Sequence, residues 1–280
     1  MIWSLGLRIS RMMDPEEAHR LTIRALRLGL GPKIHDPPDP VLASRLWGIN
    51  FFTPLGVAAG FDKNARITDV LFALGFGMLE VGTLTPLSQL GNPLPRMFRL
   101  VEDRALINRL GFNNEGLEPM RERLRSRKSR GMLGVNLGKN SDTPISRAVG
   151  DYLLGMRGTH PWADYFCINI SSPNTEDLRR LQEGDALQGL LDGICREREK
   201  LDAERGKTTP VLIKLAPDWE EGALEASIGM IREYPLDGIV ATNTTIGRPQ
   251  LKSPLRIETG GLSGAPVFGL STDILRTLYR

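Results

Sequence analysis

Asparagine residues recur at the ends of three short apolar runs in the sequence. A side-chain amide both donates and accepts hydrogen bonds, so it suits the imide and carbonyl edges of a pyrimidine or flavin ring better than a carboxylate does. Asparagine is also a common turn residue, and turn formation alone explains any single one of them. The three residues are Asn136, Asn169 and Asn243.

Two lysines lie at positions where an ammonium group needs an explanation. Lys214 interrupts the apolar run 211–215, and it either serves a site inside the fold or pairs with Glu80, which ends another apolar run. Lys63 follows Asp62 in a glycine-rich turn. It is either a solvated loop residue or a group that meets a substrate carboxylate or the negative charge of a reduced flavin.

Ser172 lies in the turn 171–174, where turn propensity explains every residue. A hydroxyl is a poor base, so a serine could remove only a proton that is already acidic, such as one beside a carbonyl group. Its own proton would also have to pass to a relay. No histidine is close to Ser172 in the sequence, although a Ser-His pair could still form in the fold.

Composition excludes several classes of protein. The chain has 280 residues, of which 41% are hydrophobic and 25% are charged, as is typical of globular proteins. No apolar run reaches the roughly 20 residues of a transmembrane helix, and no signal peptide is evident. Two cysteines and three histidines show no spacing typical of a disulfide framework or a metal site. We therefore expect a reducing compartment and no metal.

The net charge of +3 is unevenly distributed, because residues 1–35 alone carry an excess of three positive charges. A second basic run, at residues 121–130, has no interleaved aromatic residue. We interpret this run as a solvated helix end and loop, and we expect no nucleic-acid partner.

Six short apolar runs alternate with longer amphipathic stretches, a pattern typical of βα units and a parallel sheet. One βα unit per roughly 30 residues is the spacing typical of a TIM-type (β/α)8 barrel. The functional residues of such a barrel lie at the carboxyl ends of the strands. A doubly wound open sheet is the alternative on pattern alone. The predicted strands are residues 55–59, 78–81, 132–135, 165–170, 211–215 and 238–241, and predicted helices include 67–74, 178–204, 220–233 and 272–279.

Two helices are predicted at the beginning of the chain. The first 13 residues form a short apolar helix with basic residues. Asp14 as the N-cap, Pro15 at the first helical position and Glu17 as a capping-box partner predict a second helix, which runs to about Leu30.

A proline-rich stretch, residues 32–40, cannot continue a helix and predicts a stiff linker. We place a domain boundary near residue 38. The chain then divides into an N-terminal helical segment, residues 1–38, and an α/β domain, residues 39–280.

Eight motifs follow one another along the chain: AGFDK (59–63), EVGT (80–83), NRLGFN (108–113), GVNLGKN (134–140), NISSPNT (169–175), KLAPD (214–218), ATNTT (241–245) and GGLSG (260–264). Together they resemble the quinone-dependent (class 2) dihydroorotate dehydrogenases. One such motif would be weak evidence, whereas eight in order are specific. The resemblance extends from the Asp14-Pro15-Glu16 helix start to the last residue.

The resemblance implies an FMN enzyme of de novo pyrimidine (UMP) biosynthesis that oxidises (S)-dihydroorotate to orotate. It implies that Ser172 removes the C5 proton, which is acidic beside the C4 carbonyl, while the C6 hydride goes to flavin N5. The implied substrate residues are Lys63, Asn108, Arg109, Leu110, Gly111, Phe112, Asn169, Asn174, Asn243 and Thr244. The implied cofactor residues are Ala59, Gly60, Phe61, Asp62, Lys63, Thr83, Asn136, Asn169, Lys214, Thr242 and Gly264.

Two features favour the quinone-dependent class. In the soluble relatives of the family that the sequence resembles, the position of the base is a cysteine, whereas this sequence has Ser172 there. The basic, apolar N-terminal helices fit capture of a lipid-soluble quinone, with His19 and Arg20 near a tunnel. The alternative is a helical cap that buries its apolar stripe on the barrel. We expect a monomer that binds peripherally to the cytoplasmic face of a bacterial inner membrane.

The sequence departs from the family pattern after the GGLSG motif. Family members continue with two more strands whose glycine-rich turns hold the FMN phosphate, and the 280 residues contain neither. We therefore expect a barrel truncated after about six βα units, with exposed edges at its first and sixth strands. Two alternatives to the enzyme are a truncated, non-catalytic remnant unable to hold FMN and another FMN-dependent pyrimidine oxidoreductase.

Overall fold

The computed structural model describes residue 6 and residues 10–32, 39–129, 131–175 and 177–279. The strands are β1 (Ser44–Leu46), β2 (Ile49–Phe51), β3 (Gly56–Val57), β4 (Met78–Leu84), β5 (Met97–Leu100), β6 (Ala105–Asn108), β7 (Met132–Leu137), β8 (Tyr165–Asn169), β9 (Val211–Leu215), β10 (Gly238–Ala241) and β11 (Gly261–Gly264). The α-helices are α1 (Pro15–Arg27), α2 (Thr68–Ala73), α3 (Leu117–Ser126), α4 (Ala148–Thr159), α5 (Gly184–Arg205), α6 (Ala223–Arg232) and α7 (Phe268–Tyr279).

Six parallel strands form one open sheet in the order β10-β9-β8-β7-β4-β3. Each strand after β3 adds to the same edge, so the order never reverses as it must in a doubly wound sheet, and that alternative is wrong. All six predicted strands are present, although β3 is shorter than predicted and β4 and β7 are longer. β3 and β10 form the edges, as expected for a barrel that stops after six units.

The two faces of this sheet pack against different partners. Every residue of β7 is buried, as in parallel sheets that are covered on both sides. One face packs Leu133 and Val135 into the large core that includes Tyr152 of α4. On the other face, Trp47 of the β1–β2 hairpin lies 6.0 Å from the Tyr165 ring, measured between centroids. The hairpin covers the amino ends of the strands, which leaves the carboxyl ends for a site.

A second sheet, with the antiparallel order β11-β6-β5, is absent from the sequence prediction. Its buried residues form a separate small core around Leu100, Ile107 and Leu262. A bridge between Thr245 and Leu262 joins this sheet to the segment after β10. The second sheet therefore lies at the carboxyl end of the parallel strands.

Helix α1 begins as predicted, because Asp14 Oδ1 accepts hydrogen bonds from the backbone N–H groups of Glu16 and Glu17. The predicted capping box is wrong, since the Glu17 carboxylate pairs with Arg20. The helix ends at Arg27, earlier than predicted.

The apolar stripe of α1 packs on the rest of the fold, because Ile23 and Leu26 belong to the main core. The buried side of α1 is the one that the helical-cap alternative places on the barrel, and Leu21 on the other side is exposed. Most of the predicted first helix, and the linker with its boundary near residue 38, lie outside the described residues.

Several other helices differ from their predicted extents. The predicted helix 178–204 is a 3₁₀ helix, Leu178–Gln182, followed by α5. Glu183 separates them because its backbone is extended, with φ of −137° and ψ of 154°. The final helix begins at Phe268, earlier than predicted. Helix α3 ends at Ser126, inside the basic run 121–130 that was predicted to be a helix end and loop, whereas the sequence prediction gave no range for α4.

Candidate active site

A cavity of about 750 Å³ lies where the carboxyl ends of the parallel strands meet the antiparallel sheet. Most residues that the sequence assigns to a substrate or a cofactor line it. The substrate and base residues in its wall are Lys63, Asn108, Leu110, Gly111, Phe112, Asn169, Ser172, Asn174, Asn243 and Thr244. The cofactor residues in its wall are Ala59, Gly60, Lys63, Thr83, Asn169, Lys214, Thr242 and Gly264. The individual roles of these residues stay predictions.

Arg109, predicted to hold substrate, is not in the cavity wall. Its Nη1 donates to Glu258 Oε2 at 2.7 Å. Its guanidinium carbon lies 4.5 Å from the centroid of the Phe98 ring. The side chain thus joins the segment after β6 to the segment before β11.

Phe61 and Asp62, predicted to contact the cofactor, also lie outside this wall. Asp62 accepts hydrogen bonds from the backbone N–H groups of Arg66 and Ile67, at 2.7 and 2.8 Å. Burial raises the pKa of this carboxyl group. The Phe61 carbonyl oxygen lies 2.8 Å from His19 Nε2, so this segment contacts α1.

The three asparagines singled out from the sequence form one hydrogen-bonded chain with Thr83. Asn136 Oδ1 accepts from Thr83 Oγ1 at 2.5 Å and from Asn169 Nδ2 at 3.1 Å. Asn169 Oδ1 accepts from Asn243 Nδ2 at 3.3 Å. Asn136 is fully buried and is not in the cavity wall, so it orients the amides that are.

Glu80 holds the buried end of this chain. Its carboxylate accepts from Asn136 Nδ2 at 2.8 Å and from Tyr165 Oη at 3.1 Å. No ion pair joins Glu80 to Lys214 within the described residues, so the predicted alternative pairing is wrong. Lys214 lines the cavity instead.

Lys63 is a half-buried cation in the cavity wall. Its Nζ donates to the Gly60 carbonyl oxygen at 2.7 Å. Burial lowers the pKa of Lys63 to about 8, and the nearby Glu16 carboxylate opposes this shift. The environment is not that of a solvated loop residue, and it suits the binding of a small carboxylate at neutral pH.

Ser172 lies at the cavity and is 6% exposed. Its Oγ accepts from the Asn174 backbone N–H at 3.3 Å, and Asn174 Nδ2 donates to Asn108 Oδ1 at 3.2 Å. The turn is thereby attached to β6. The described histidines bond elsewhere, His19 to Phe61 and His160 to Asp202 and Thr209, so the described residues contain no Ser-His pair.

The residues present fit a planar ring system rich in carbonyl groups, such as a flavin. Amide, hydroxyl and ammonium groups face one cavity. Gly60 has a φ of +103°, and no atom lies within 4 Å of the place that a Cβ would take. Asn113 lines the same cavity, and its Oδ1 is buried with no hydrogen-bond partner among the described residues. A buried oxygen of this kind suits a donor on a ligand.

Some residues of the cavity wall escaped the sequence analysis. Asn113 belongs to the motif 108–113 and Ser263 to the motif 260–264, so membership of these motifs could have identified both residues. Phe268 and Ser271 enter the wall from the start of α7, for which the sequence offered no signal.

A family model for dihydroorotate dehydrogenase matches residues 41–280. The chain belongs to the dihydroorotate dehydrogenase family. A "Dihydroorotate dehydrogenase (quinone)" of Halorhodospira halophila is 49% identical over 260 residues, which cover 91% of this chain and 75% of that protein. A protein of the same name from Parvibaculum lavamentivorans is 50% identical over 282 residues, covering 100% and 78%.

A solved structure of a dihydroorotate dehydrogenase shows the same fold. The enzyme of Eimeria tenella in complex with ferulenol has a TM-score of 0.89 at 42% identity, and the match covers 95% of this chain and 76% of that one. The ligand-free enzyme of the same organism has a TM-score of 0.88 at 40% identity, covering 95% and 79%.

Two smaller cavities lie between α1 and the barrel of this dihydroorotate dehydrogenase family member. His19 lines both, while Arg20 lines only the one of about 260 Å³. Burial lowers the pKa of His19. Lys63 lines both of these cavities as well as the large one. Within the described residues, no helix combines the length and apolar character needed to cross a membrane, and no cluster of metal-binding side chains occurs.

Proposed function

We propose that this chain oxidises (S)-dihydroorotate to orotate in pyrimidine biosynthesis, with a membrane quinone as the final electron acceptor. The observation that carries this proposal is the meeting of Ser172, Lys63 and the amide chain at one cavity. Family membership implies a flavin cofactor, and we propose that it is FMN. The names of the relatives from Halorhodospira halophila and Parvibaculum lavamentivorans support a quinone as the final electron acceptor.

The residues of the cavity supply binding and proton transfer, while a bound flavin supplies a hydride acceptor and later releases two electrons. Lys63 binds the substrate carboxylate, and the amides of Asn169 and Asn243 orient the ring. Ser172 Oγ takes the C5 proton, which is acidic beside the C4 carbonyl, as its own hydroxyl proton passes to a relay that leads to solvent. Loss of this proton and of the C6 hydride leaves the C5=C6 double bond of orotate.

We further propose that the protein is a monomer that lies peripherally on the cytoplasmic face of a bacterial inner membrane. Helix α1 supports the membrane contact in this proposal because its two sides differ. Ile23 and Leu26 pack into the core, whereas Leu21 and Leu28 are exposed. Exposed leucines on a helix with basic residues suit the interface of a membrane, from which a quinone would enter.

The absorbance spectrum of residues 1–280, purified in detergent, tests the proposal. We expect a flavin band that bleaches anaerobically on addition of dihydroorotate and returns on addition of a soluble quinone. A band that bleaches but does not return with quinone favours another FMN-dependent pyrimidine oxidoreductase. A folded, colourless chain would identify a non-catalytic remnant.

A further inference from the structure

Arg179 contacts three separate segments at the carboxyl ends of the strands. Its Nε lies 3.3 Å from the carbonyl oxygen of Ser171, which follows β8. Its Nη2 donates to the carbonyl oxygen of Thr244, after β10, at 3.2 Å. Its Nη1 lies 2.9 Å from Asp218 Oδ2, after β9. One guanidinium group therefore joins the ends of three neighbouring strands.

Asp218 extends this connection to the segment after β10. Its carboxylate accepts from Thr245 Oγ1 and, at 3.1 Å, from the backbone N–H of Ile246. The Arg179–Asp218 pair thus binds the segment after β10 at two adjacent residues, Thr244 and Thr245.

The 3₁₀ helix that carries Arg179 is itself fixed in place. Leu178 and Leu181 are buried in the main core. Gln182 Oε1 accepts from the backbone N–H of Ala216 at 2.9 Å, and its carbonyl oxygen accepts from Ser227 Oγ at 2.8 Å. The guanidinium group consequently extends from a fixed base to the segments that follow β8, β9 and β10.

We propose that Arg179 is a positioning residue, which sets the Ser172 turn and the Thr244 segment at a fixed separation across the cavity. Ser171, whose carbonyl it binds, directly precedes Ser172, and Thr244 lies in the cavity wall. The inference rests on the proposed function, because it is Ser172 that must meet the substrate C5 proton. A planar fork of donors can reach all three partners, whereas the single nitrogen of a lysine cannot.

Hydrogen exchange of Arg179→Lys tests the positioning role without requiring a bound flavin. We expect backbone amides of residues 171–175 and 242–246 to exchange about tenfold faster, the effect of losing one or two hydrogen bonds. The matched control is Arg180→Lys, because Arg180 is adjacent but exposed and pairs only at 3.6 Å with Asp177. Unchanged exchange in both segments, or equal acceleration in the control, would overturn the proposal.

Flavin reduction by dihydroorotate is the second measurement, made in single turnovers. We expect Arg179→Lys to slow reduction by roughly 10- to 100-fold, as small misplacements of reacting groups do, with orotate affinity changed much less. A change in orotate affinity alone would contradict the inference. If the unmodified chain is not reduced at all, the proposed function fails, and the exchange experiment still decides the positioning role.

Asp218→Asn serves as the second variant if Arg179→Lys does not fold. It removes the charge that faces Arg179 while it leaves the guanidinium group in place. We expect faster exchange in residues 171–175, which Arg179 contacts and Asp218 does not, and unchanged exchange there would overturn the proposal.

Discussion

Glu16 of α1 and Arg96 of the segment before β5 form an ion pair with two hydrogen bonds. Arg96 Nη2 lies 2.7 Å from Glu16 Oε1, and Arg96 Nε lies 2.8 Å from Oε2. The side chains are only 8% and 10% exposed. The hydrogen bond from Arg96 lowers the pKa of Glu16 below its ordinary value. The pair therefore attaches the N-terminal helix to the rest of the fold.

We expect Glu16→Gln to weaken the attachment of α1 by about 3–5 kcal/mol, because it leaves the Arg96 charge buried without a counterion. Since the pKa of Glu16 is lowered in the folded chain, the stabilisation is present above the carboxyl's ordinary pKa of 4.5 and is lost as pH falls through the lowered value. Native-state hydrogen exchange of residues 15–27 measures it. Glu17→Gln is the control, since the Glu17–Arg20 pair is exposed, and an equal effect there would contradict the prediction.

The pKa of Lys63 predicts a pH dependence of substrate binding. Burial lowers this pKa to about 8, Glu16 and Asp62 oppose the shift, and Arg96 adds to it. Lys63 therefore loses its charge as pH rises above about 8, and KM for dihydroorotate should increase by about tenfold per pH unit there. In Lys63→Arg, whose guanidinium stays protonated, KM should not change with pH in this range. The same rise in this variant would exclude Lys63 as its cause.

Substitution of Asn136 tests the buried amide chain. Asn136→Asp replaces the Nδ2 donor to Glu80 with a second carboxyl group, and adjacent buried carboxylates repel each other. We expect the free energy of unfolding to fall by about 1–3 kcal/mol at neutral pH and to recover partly in mild acid, as the new carboxylate becomes protonated. Urea denaturation at two pH values measures this difference. Asn50→Asp, on the exposed side of β2, should have little effect at either pH.

Removal of the Ser172 hydroxyl tests its role as the base. We expect Ser172→Ala to retain flavin while it slows flavin reduction by at least about 10²-fold, the low end for loss of a general base. Anaerobic stopped-flow absorbance measures the rate. Ser126→Ala, an exposed serine of α3, controls for a general effect of substitution. A mild effect would mean that Ser172 is only a turn residue.

The parallel strands were predictable because each is a local apolar run with a polar end. The antiparallel sheet was not, since β5 and β6 have four residues each and β11 pairs Gly261 with Asn108, far away in the chain. No local pattern records such a pairing. The helix-capping role of Asp14 was visible, because an N-cap depends only on neighbouring residues.

The site was predicted only in part, because the sequence does not show the direction in which each side chain points. Residue type and position at strand ends were enough to single out Lys63 and Asn169, which line the cavity. Asp62 and Arg109 also belong to the eight motifs, yet their side chains bond to Ile67 and Glu258. A motif states which residues occur together and does not state which way each one points.

The carboxylate of Glu80 fixes the orientation of the side-chain amides in the chain of Asn136, Asn169 and Asn243. A carboxylate only accepts hydrogen bonds, so Asn136 must turn its NH₂ group toward Glu80 and its oxygen toward Asn169. Asn169 must then direct its own oxygen toward Asn243. An isolated side-chain amide could exchange the positions of its oxygen and its nitrogen. In this hydrogen-bonded chain, such a flip would break the hydrogen bond to the neighbouring amide. The dipoles in the cavity wall are consequently set during folding, so no reorientation is required of them when charge shifts in a reaction there.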